Sequence, residues 1–437
     1  MMGPRLAIAL WVSAIVHILT SGYSLSADGL APAEVINQEN WQEAEGLVPD
    51  QVLAWIRGGR FTLTMGKLEY NFADAVPEYA VEARRVNDGL YDINESRELV
   101  EKKTGDLARG VVGHPFPAID PADPDAATKI MYNGMYSRLI PGNVRTPSMI
   151  AHFLDSSGQE RELELYFKVA SMTGYPEAKN IPNPSDYEQL NIIRVVRPFD
   201  LAGSAVMMLR YFGKKPDSNF AYVPAIRRVR RMSPANRSDA LFGSDYSQDD
   251  SGYTNYDGKI PAFEFKLLRT AEILGAFMGP NPYPQTKNAD GEWCAETAAP
   301  VVRWGYNEKE YTGLPWTPLN VIFVKRPVYV VECSSTDKWY NYGKQIVWVD
   351  REVFVGYYKQ TLNRAGEQWK VAFNVWGMGE STDKKYRSSL WPSGVMVDER
   401  AQHATVFEFL HEGGPVCQNT KDDLNHYSLG GFQQFCK

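Results

Sequence analysis

The chain has 437 residues, with 46 Lys and Arg against 53 Asp and Glu, which gives a formal net charge of −7. This mildly acidic balance argues against nucleic-acid binding, which needs a sustained basic surface. The length permits more than one domain, but 24 tyrosines and an aromatic content of 12% favour one large β-rich domain with an N-terminal extension.

The N-terminus predicts a secretory signal peptide. Arg5 precedes an apolar run over residues 6–19, and small and polar residues follow as far as Ala27. This order of charged, apolar and small residues is typical of exported proteins. A membrane anchor is the alternative, but the run is shorter than the about 20 residues of a spanning helix. We divide the chain into a signal peptide (1–27), a helical or irregular extension with a first strand (28–110), and a β-rich domain that ends in a cysteine-bearing segment (111–437).

The extension is predicted to begin with a broken helix. Apolar residues recur near helical spacing over residues 37–57, with a break at 46–49. Residues 61–70 alternate as a strand, and a proline-rich connector follows at 113–124. Asp123 can cap a helix that has Pro124 at its first position and runs to about Ser137.

Strand patterns dominate from about residue 145 onward. Gly, Pro, Asn or Asp separates most of them. The predicted strands are residues 162–169, 189–197, 205–212, 220–231, 262–273, 328–333, 345–349, 353–363, 368–376 and 405–410. So many short strands with few helices favour a curved antiparallel sheet or partly closed barrel. The concave face of such a sheet holds a ligand or is filled by side chains.

A basic stretch turns directly into an acidic one over residues 222–250. Arginines here are suited to gripping a carboxylate or phosphate. Internal pairing into a structural clamp at a barrel rim is the favoured alternative, because buried charges need partners. The predicted clamp consists of Arg227, Arg231, Arg237, Asp239, Asp245, Asp249 and Asp250.

Candidate ligand-binding residues come from apolar and aromatic strands and from the arginine-rich stretch. Soft methionine side chains pack around irregular apolar ligands, although ordinary core filling is the alternative. The candidate set is Met207, Leu209, Tyr211, Ile226, Arg228, Arg230, Trp348 and Trp369.

Four cysteines lie in the last third of the chain: Cys294, Cys333, Cys417 and Cys436. In an exported protein an even number at wide spacing predicts disulfides. All three connectivities stay open, and a bond between Cys417 and Cys436 would close the shorter loop. The absence of a Cys-x-x-Cys pair argues against zinc, and we expect neither metal nor cofactor.

Catalytic motifs are missing. Gly203-Ser204 lacks the flanking glycine of a nucleophile elbow, and His411-Glu412 lacks the second histidine of a zinc protease. We therefore expect no catalytic residue and no enzyme.

The basic and acidic block at residues 222–250 resembles the outer-membrane lipoprotein-sorting (LolA/LolB-like) proteins. Pro-Phe-Pro at 115–117, the turn at 200–203 and the stretch at 340–370 are more narrowly similar to an uncharacterised domain-of-unknown-function family of Gram-negative periplasmic proteins in that superfamily. The resemblance covers about residues 62–410.

The resemblance implies a mainly β (α+β) fold, a half-open curved antiparallel barrel with a helical lid over an apolar cavity. It implies a periplasmic carrier or chaperone that binds a lipid or acyl chain and serves an inner-membrane exporter or an outer-membrane protein. A non-catalytic structural or adaptor protein of a transporter complex is the alternative. An enzyme acting on lipids or esters is the weaker one.

Overall fold

One large sheet organises this protein. The structure is a computed structural model and describes residues 34–297 and 301–437. The predicted signal peptide, residues 1–27, lies outside the described residues. Within them, no helix has the length and apolar character needed to span a membrane. The proposed boundary at residue 110 stays a prediction.

Twenty strands are found in the described residues. They are β1 (Val35–Ile36), β2 (Leu63–Thr64), β3 (Tyr91–Ile93), β4 (Leu99–Glu101), β5 (Val144–Asp155), β6 (Gly158–Ser171), β7 (Tyr187–Arg197), β8 (Ala205–Tyr211), β9 (Ser218–Val223), β10 (Arg228–Met232), β11 (Phe263–Phe277), β12 (Tyr283–Lys287), β13 (Trp293–Ala295), β14 (Ile322–Ser335), β15 (Lys344–Asp350), β16 (Gly356–Leu362), β17 (Gln368–Ser381), β18 (Arg387–Asp398), β19 (His403–Glu408) and β20 (Val416–Gln418).

Sixteen strands, β5 to β20, form the large sheet. Its order is β10-β9-β8-β7-β6-β5-β20-β13-β12-β17-β11-β14-β15-β16, and β18 and β19 link β17 to β5. Neighbours are antiparallel, except that β17 runs parallel to β11 and β12. Strand β16 also pairs with β17, but β10 pairs with β9 alone in the described chain, so this edge is open and the sheet as a whole does not form one closed barrel. The predicted mainly β fold with a curved, mostly antiparallel sheet is confirmed.

The described residues contain four α-helices. They are α1 (Asp50–Arg57), α2 (Glu78–Val86), α3 (Ala126–Leu139) and α4 (Leu429–Phe435). Helix α1 follows a short 3₁₀ turn at Trp41–Ala44, so the broken helix predicted at residues 37–57 is present. Helix α3 begins two residues after Pro124 and is buried against β11 and the segment that precedes it.

The strand predicted at residues 220–231 is two strands joined by a turn. Pro224 opens a 3₁₀ turn at Pro224–Ile226, and Arg227 takes a left-handed backbone conformation with φ of 52°. Proline has no N–H for a strand ladder, so the chain reverses and β9 and β10 form a hairpin. The single strand predicted at residues 220–231 is therefore wrong.

An irregular stretch between β10 and β11 lies over one face of the sheet. We call residues 240–259 the covering segment. It contains short 3₁₀ turns at Leu241–Gly243 and Gln248–Asp250. The Gly356 N–H donates to the Tyr253 carbonyl at 2.7 Å, and a side chain at Gly356 would meet the backbone of Thr254. The covering segment can lie this close to β16 because Gly356 has no Cβ.

Candidate functional site

An apolar cavity lies between the sheet and the covering segment. Its volume is about 50 Å³, and it is partly open to solvent. The sheet side of its wall consists of Met149, Phe167, Asn191, Ile193, Val206, Met208, Trp391, Phe407 and Phe409. The covering segment contributes Leu241, Tyr246, Gln248, Ser251 and Asp257. Most of the lining is hydrocarbon or aromatic, with a few polar groups, which is the usual make-up of a small-molecule site.

A second cavity of about 30 Å³ adjoins the first. The two share wall residues Phe167, Ser251, Trp391 and Phe409. The second extends toward Arg138 of helix α3 and Thr146 of β5. Together they outline an elongated apolar region beneath the covering segment.

Strand alternation explains which residues reach the cavity. Asn191 pairs with Met208 and Ile193 pairs with Val206 across β7 and β8, and all four line the cavity. Their neighbours along each strand point to the opposite face because successive side chains alternate.

A buried ion network borders the cavity. Asp257 Oδ1 accepts from Arg138 Nη2 at 2.7 Å and from Arg210 Nη1 at 2.8 Å. Arg210 Nε also donates to Asp217 Oδ2 at 3.1 Å. Planar guanidinium groups suit such forked contacts. The network ties helix α3 and β8 to the covering segment.

Arg237 extends this network. It donates from Nε to Asp249 Oδ1 at 2.6 Å and from Nη1 to Asp217 Oδ2 at 2.7 Å. The Lys259 ammonium lies 3.4 Å from Asp217 Oδ1. Each of these side chains is buried, and each charge has an opposite charge in contact, as buried ions require.

Burial and neighbouring charges set the protonation of these carboxyl groups. Burial alone would raise the pKa of Asp257, but the charges of Arg138 and Arg210 lower it to about 2. Burial dominates at Glu188 and raises its pKa to about 6, although Lys259 opposes the shift. Desolvation disfavours a charged carboxylate, whereas a nearby cation favours it.

The comparison with family models decides the family. The model described as "Protein of unknown function (DUF1329)" matches residues 35–432. The chain belongs to the DUF1329 family. The match confirms the resemblance to a domain-of-unknown-function family that the sequence motifs indicated. No curated protein matches it.

Solved structures similar to the DUF1329 chain share little sequence with it. A protein from Vibrio parahaemolyticus named as an outer membrane lipoprotein-sorting protein domain is 15% identical, with coverage of 71% of this chain and 100% of that one, and a TM-score of 0.47. A DUF1329 family protein from Desulfovibrio piger is 12% identical, with coverage of 68% and 97% and a TM-score of 0.42. A LolA superfamily protein from Nitrosomonas europaea is 13% identical, with coverage of 69% and 97% and a TM-score of 0.38.

The eight predicted ligand-binding residues are not gathered at the cavity, and none of them is among the residues that line it. Met207 and Leu209 face the opposite side of β8 and pack with Phe432 of helix α4, and Tyr211 lies against the same cluster. Trp348 is buried in the main core, and Trp369 donates from Nε1 to Asp398 Oδ2 at 2.7 Å.

The remaining three predicted ligand-binding residues lie at the open edge of the sheet. Ile226 is 43% exposed at the β9–β10 turn, and Arg228 and Arg230 are exposed on β10. Among the described residues, neither arginine has an ion pair. They form a surface, which is separate from the cavity wall.

The predicted clamp is divided among several places. Arg237 and Asp249 pair as described above, whereas Arg227 and Arg231 are exposed, and no carboxylate of the described chain pairs with either. Asp239 is exposed and accepts from Asn341 at 3.0 Å.

The other two carboxylates of that set have partners far along the chain. Asp245 accepts from His403 Nδ1 at 2.6 Å and from Thr405 Oγ1 at 2.7 Å. Asp250 pairs with Lys359 and accepts from Tyr342 Oη at 2.7 Å. Asp245 and Asp250 therefore fasten the covering segment to β19, to β16 and to the loop before β15, whereas Asp249 pairs with the neighbouring Arg237.

One disulfide joins Cys294 to Cys417 on the adjacent strands β13 and β20. Cys333 and Cys436 are free and buried. A single group with the ligand types of a metal site occurs in the described chain, Glu292 with Cys294 and Cys417, and both of its sulfurs belong to the disulfide.

Sequence reasoning missed the residues that build the site. Arg138, Asp217 and Asp257 are far apart in sequence, and their meeting depends on tertiary contacts. The sequence of β8 contained one indication of a buried ion pair, because Arg210 lies on the same face as Met208 in an otherwise apolar strand. A charge in that setting predicts a buried partner.

Proposed function

We propose that this DUF1329 protein is a non-catalytic periplasmic carrier that holds a lipid or other acyl chain beneath the covering segment. The observation that supports the proposal is the apolar cavity of about 50 Å³ and its continuation past Phe167 and Trp391, which widen to admit an acyl chain when the covering segment moves outward. Transfer of hydrocarbon from water into such a wall contributes about 0.8 kcal/mol per methylene group.

The layers over the cavity suit a carrier that opens to release its ligand. The covering segment is irregular and is backed by helix α3, where Gly134 lies against the Thr254 side chain. Its fastening points are polar, including the Arg138 to Asp257 contact at 2.7 Å. Polar contacts can exchange with water when the segment moves, whereas the sheet beneath is held by its ladder. The covering segment and α3 together correspond to the lid in this proposal.

Extraction of bound lipid tests the proposal. The full chain is purified without detergent, extracted with organic solvent and examined by mass spectrometry for compounds present in stoichiometric amount. A co-purifying acyl compound is expected, and its repeated absence would count against a carrier.

Two matched valine substitutions locate the ligand. Val206→Trp places an indole in the cavity, whereas Val223→Trp places the same group at an exposed strand end. Filling the cavity excludes its ligand, so Val206→Trp is expected to lose the extracted compound and Val223→Trp to keep it. If both variants retain the extracted compound equally, the ligand does not bind in this cavity.

A docking adaptor is a second candidate, and the open edge of the sheet favours it. Phe199 is 95% exposed beside this edge and lines one groove with Arg227. Exposed Arg228 and Arg230 extend the positive charge in a chain whose net charge is −7. Such a patch suits an acidic face of an exporter, because charge complementarity steers association.

Charge reversal tests the adaptor. The double variant Arg228→Glu/Arg230→Glu is expected to stop co-sedimentation with cell-envelope membranes while the extracted lipid content stays unchanged. Unaltered co-sedimentation would remove the adaptor candidate. Loss of lipid in the same variant would tie the edge to the cavity.

A further inference from the structure

The cavity has a polar end built around Asp257. Oδ1 of this carboxylate accepts from Arg138 and Arg210, but Oδ2 has no hydrogen-bond partner among the described residues. Asp257 is 4% exposed and belongs to the cavity wall. Buried polar atoms almost always have a partner, so an open carboxylate oxygen at an apolar cavity indicates what kind of group belongs beside it.

Tyr246 provides a second open polar atom in the same wall. It is 1% exposed, and within the described chain its Oη has no hydrogen-bond partner. A phenol both donates and accepts. Tyr246 and Asp257 thus offer one acceptor-only oxygen and one adaptable hydroxyl in a wall that is otherwise mainly apolar.

The charge of the surrounding network restricts the ligand further. Four cations and four carboxylates make up the network: Arg138, Arg210, Arg237 and Lys259 with Glu188, Asp217, Asp249 and Asp257. The set is electrically balanced when all are ionised. A ligand carboxylate would place an unmatched negative charge against ionised Asp257, and burial makes such a charge unfavourable.

We propose that the cavity takes a neutral lipid with a hydroxyl group, which donates its O–H to Asp257 Oδ2 while its hydrocarbon lies against Phe167 and Ile193. This rests on the carrier function proposed above and names the chemical class of the ligand. Tyr246 Oη supplies a second hydrogen-bonding position in the cavity wall.

Three small probe molecules separate the contributions of the hydroxyl group, the hydrocarbon chain and a negative charge to binding. They are 1-octanol, its isomer 1-methoxyheptane, which has an ether in place of the O–H, and octanoate, which carries a charge. Each is titrated by calorimetry into the delipidated full chain. A hydrogen bond to a charged group adds enough affinity for 1-octanol to bind about tenfold or more tightly than the ether, and octanoate is expected to bind most weakly.

Two variants assign the preference to named atoms. Asp257→Asn replaces the open acceptor with an amide, and the preference of octanol over the ether is expected to vanish. Because this change also weakens the pairs with Arg138 and Arg210, Tyr246→Phe serves as an independent variant that removes only Oη. It is expected to weaken octanol binding by about threefold to tenfold. Tyr222→Phe, on the opposite face of the sheet, is the matched control and is expected to bind octanol as the unmodified chain does.

The outcomes distinguish this inference from the carrier function. If octanol and the ether bind equally, or octanoate binds best, the cavity is a carrier site and the hydroxyl preference is overturned. An unchanged octanol affinity in Tyr246→Phe would remove that residue from the site. If no probe binds, both the carrier function and the inference fall.

Discussion

Arg210 Nη1 lies 2.8 Å from Asp257 Oδ1, and Arg210 Nη2 donates to the Asp257 carbonyl at 2.6 Å. One guanidinium therefore fixes both the side chain and the backbone of the same covering-segment residue. Since Arg210 belongs to β8, the contact sets the distance between the sheet and the segment that covers its cavity.

Replacing Arg210 with methionine tests this fastening. Removal of one member of a buried ion pair leaves the partner charge uncompensated, and the expected loss in the free energy of unfolding is about 3–5 kcal/mol. Denaturant titration of the full chain measures it. Arg230→Met on exposed β10 is the control, with an expected change within about 0.5 kcal/mol. Similar values for the two variants would contradict a structural role for the network.

Glu188 makes stability depend on pH. Burial raises its pKa in the folded chain to about 6 from the ordinary value of 4.5. A raised carboxyl pKa means that the folded chain retains a proton that the unfolded chain has released. This stabilising contribution is complete below the unfolded pKa and is lost as pH rises through the folded pKa, by about 2 kcal/mol in all.

Glu188→Gln removes that titration. Relative to the unmodified chain, the variant is expected to gain about 2 kcal/mol in the free energy of unfolding between pH 4 and pH 8. Denaturant curves at several pH values give the difference directly, with the pH 4 measurement as the internal reference. A difference that stays flat, or that falls as pH rises, would show that burial does not hold the proton on Glu188.

The bond between Cys294 and Cys417 joins residues 123 positions apart. Closing so long a loop restricts the unfolded chain, so Cys294→Ala/Cys417→Ala is expected to lower the free energy of unfolding by about 2–5 kcal/mol. Thiol alkylation provides a separate check. In denaturant without reductant, mass spectrometry should find two labelled cysteines, Cys333 and Cys436. Four labelled cysteines would rule out the bond.

Many of the strands could be predicted because a strand depends on the local alternation of apolar and polar residues. What each strand face packs against could not be predicted. On β8 the sequence places Met207 and Met208 side by side, and only the tertiary structure decides that Met208 reaches the cavity while Met207 packs toward helix α4. Alternation with a period of two residues identifies a strand, but it does not indicate which element packs against each face of that strand.

The ion network was unpredictable for a related reason. Arg138 and Asp257 lie 119 residues apart, and nothing in either neighbourhood points to the other. The basic and acidic block did identify one real pair, Arg237 with Asp249, because these two residues are close in sequence and share one loop. Cys294 and Cys417 form the disulfide because β13 pairs with β20, and the loop between them is long. Cysteine spacing alone therefore could not identify this pair.

Gly356 tests whether close contact with β16 holds the covering segment in place. A Cβ built at this position would lie 2.7 Å from the backbone of Thr254, closer than atoms tolerate. Gly356→Ala is therefore expected to lower the free energy of unfolding by about 1–3 kcal/mol, and hydrogen exchange should rise at the amides of residues 250–257. Gly110→Ala is the matched control, since nothing lies within 4 Å of its Cβ position. There the smaller entropy of the unfolded chain should leave stability unchanged or raise it by about 0.4–1 kcal/mol. Equal effects at the two glycines, or protection of the covering segment that is unaltered in Gly356→Ala, would show that the segment is held by its ion pairs alone.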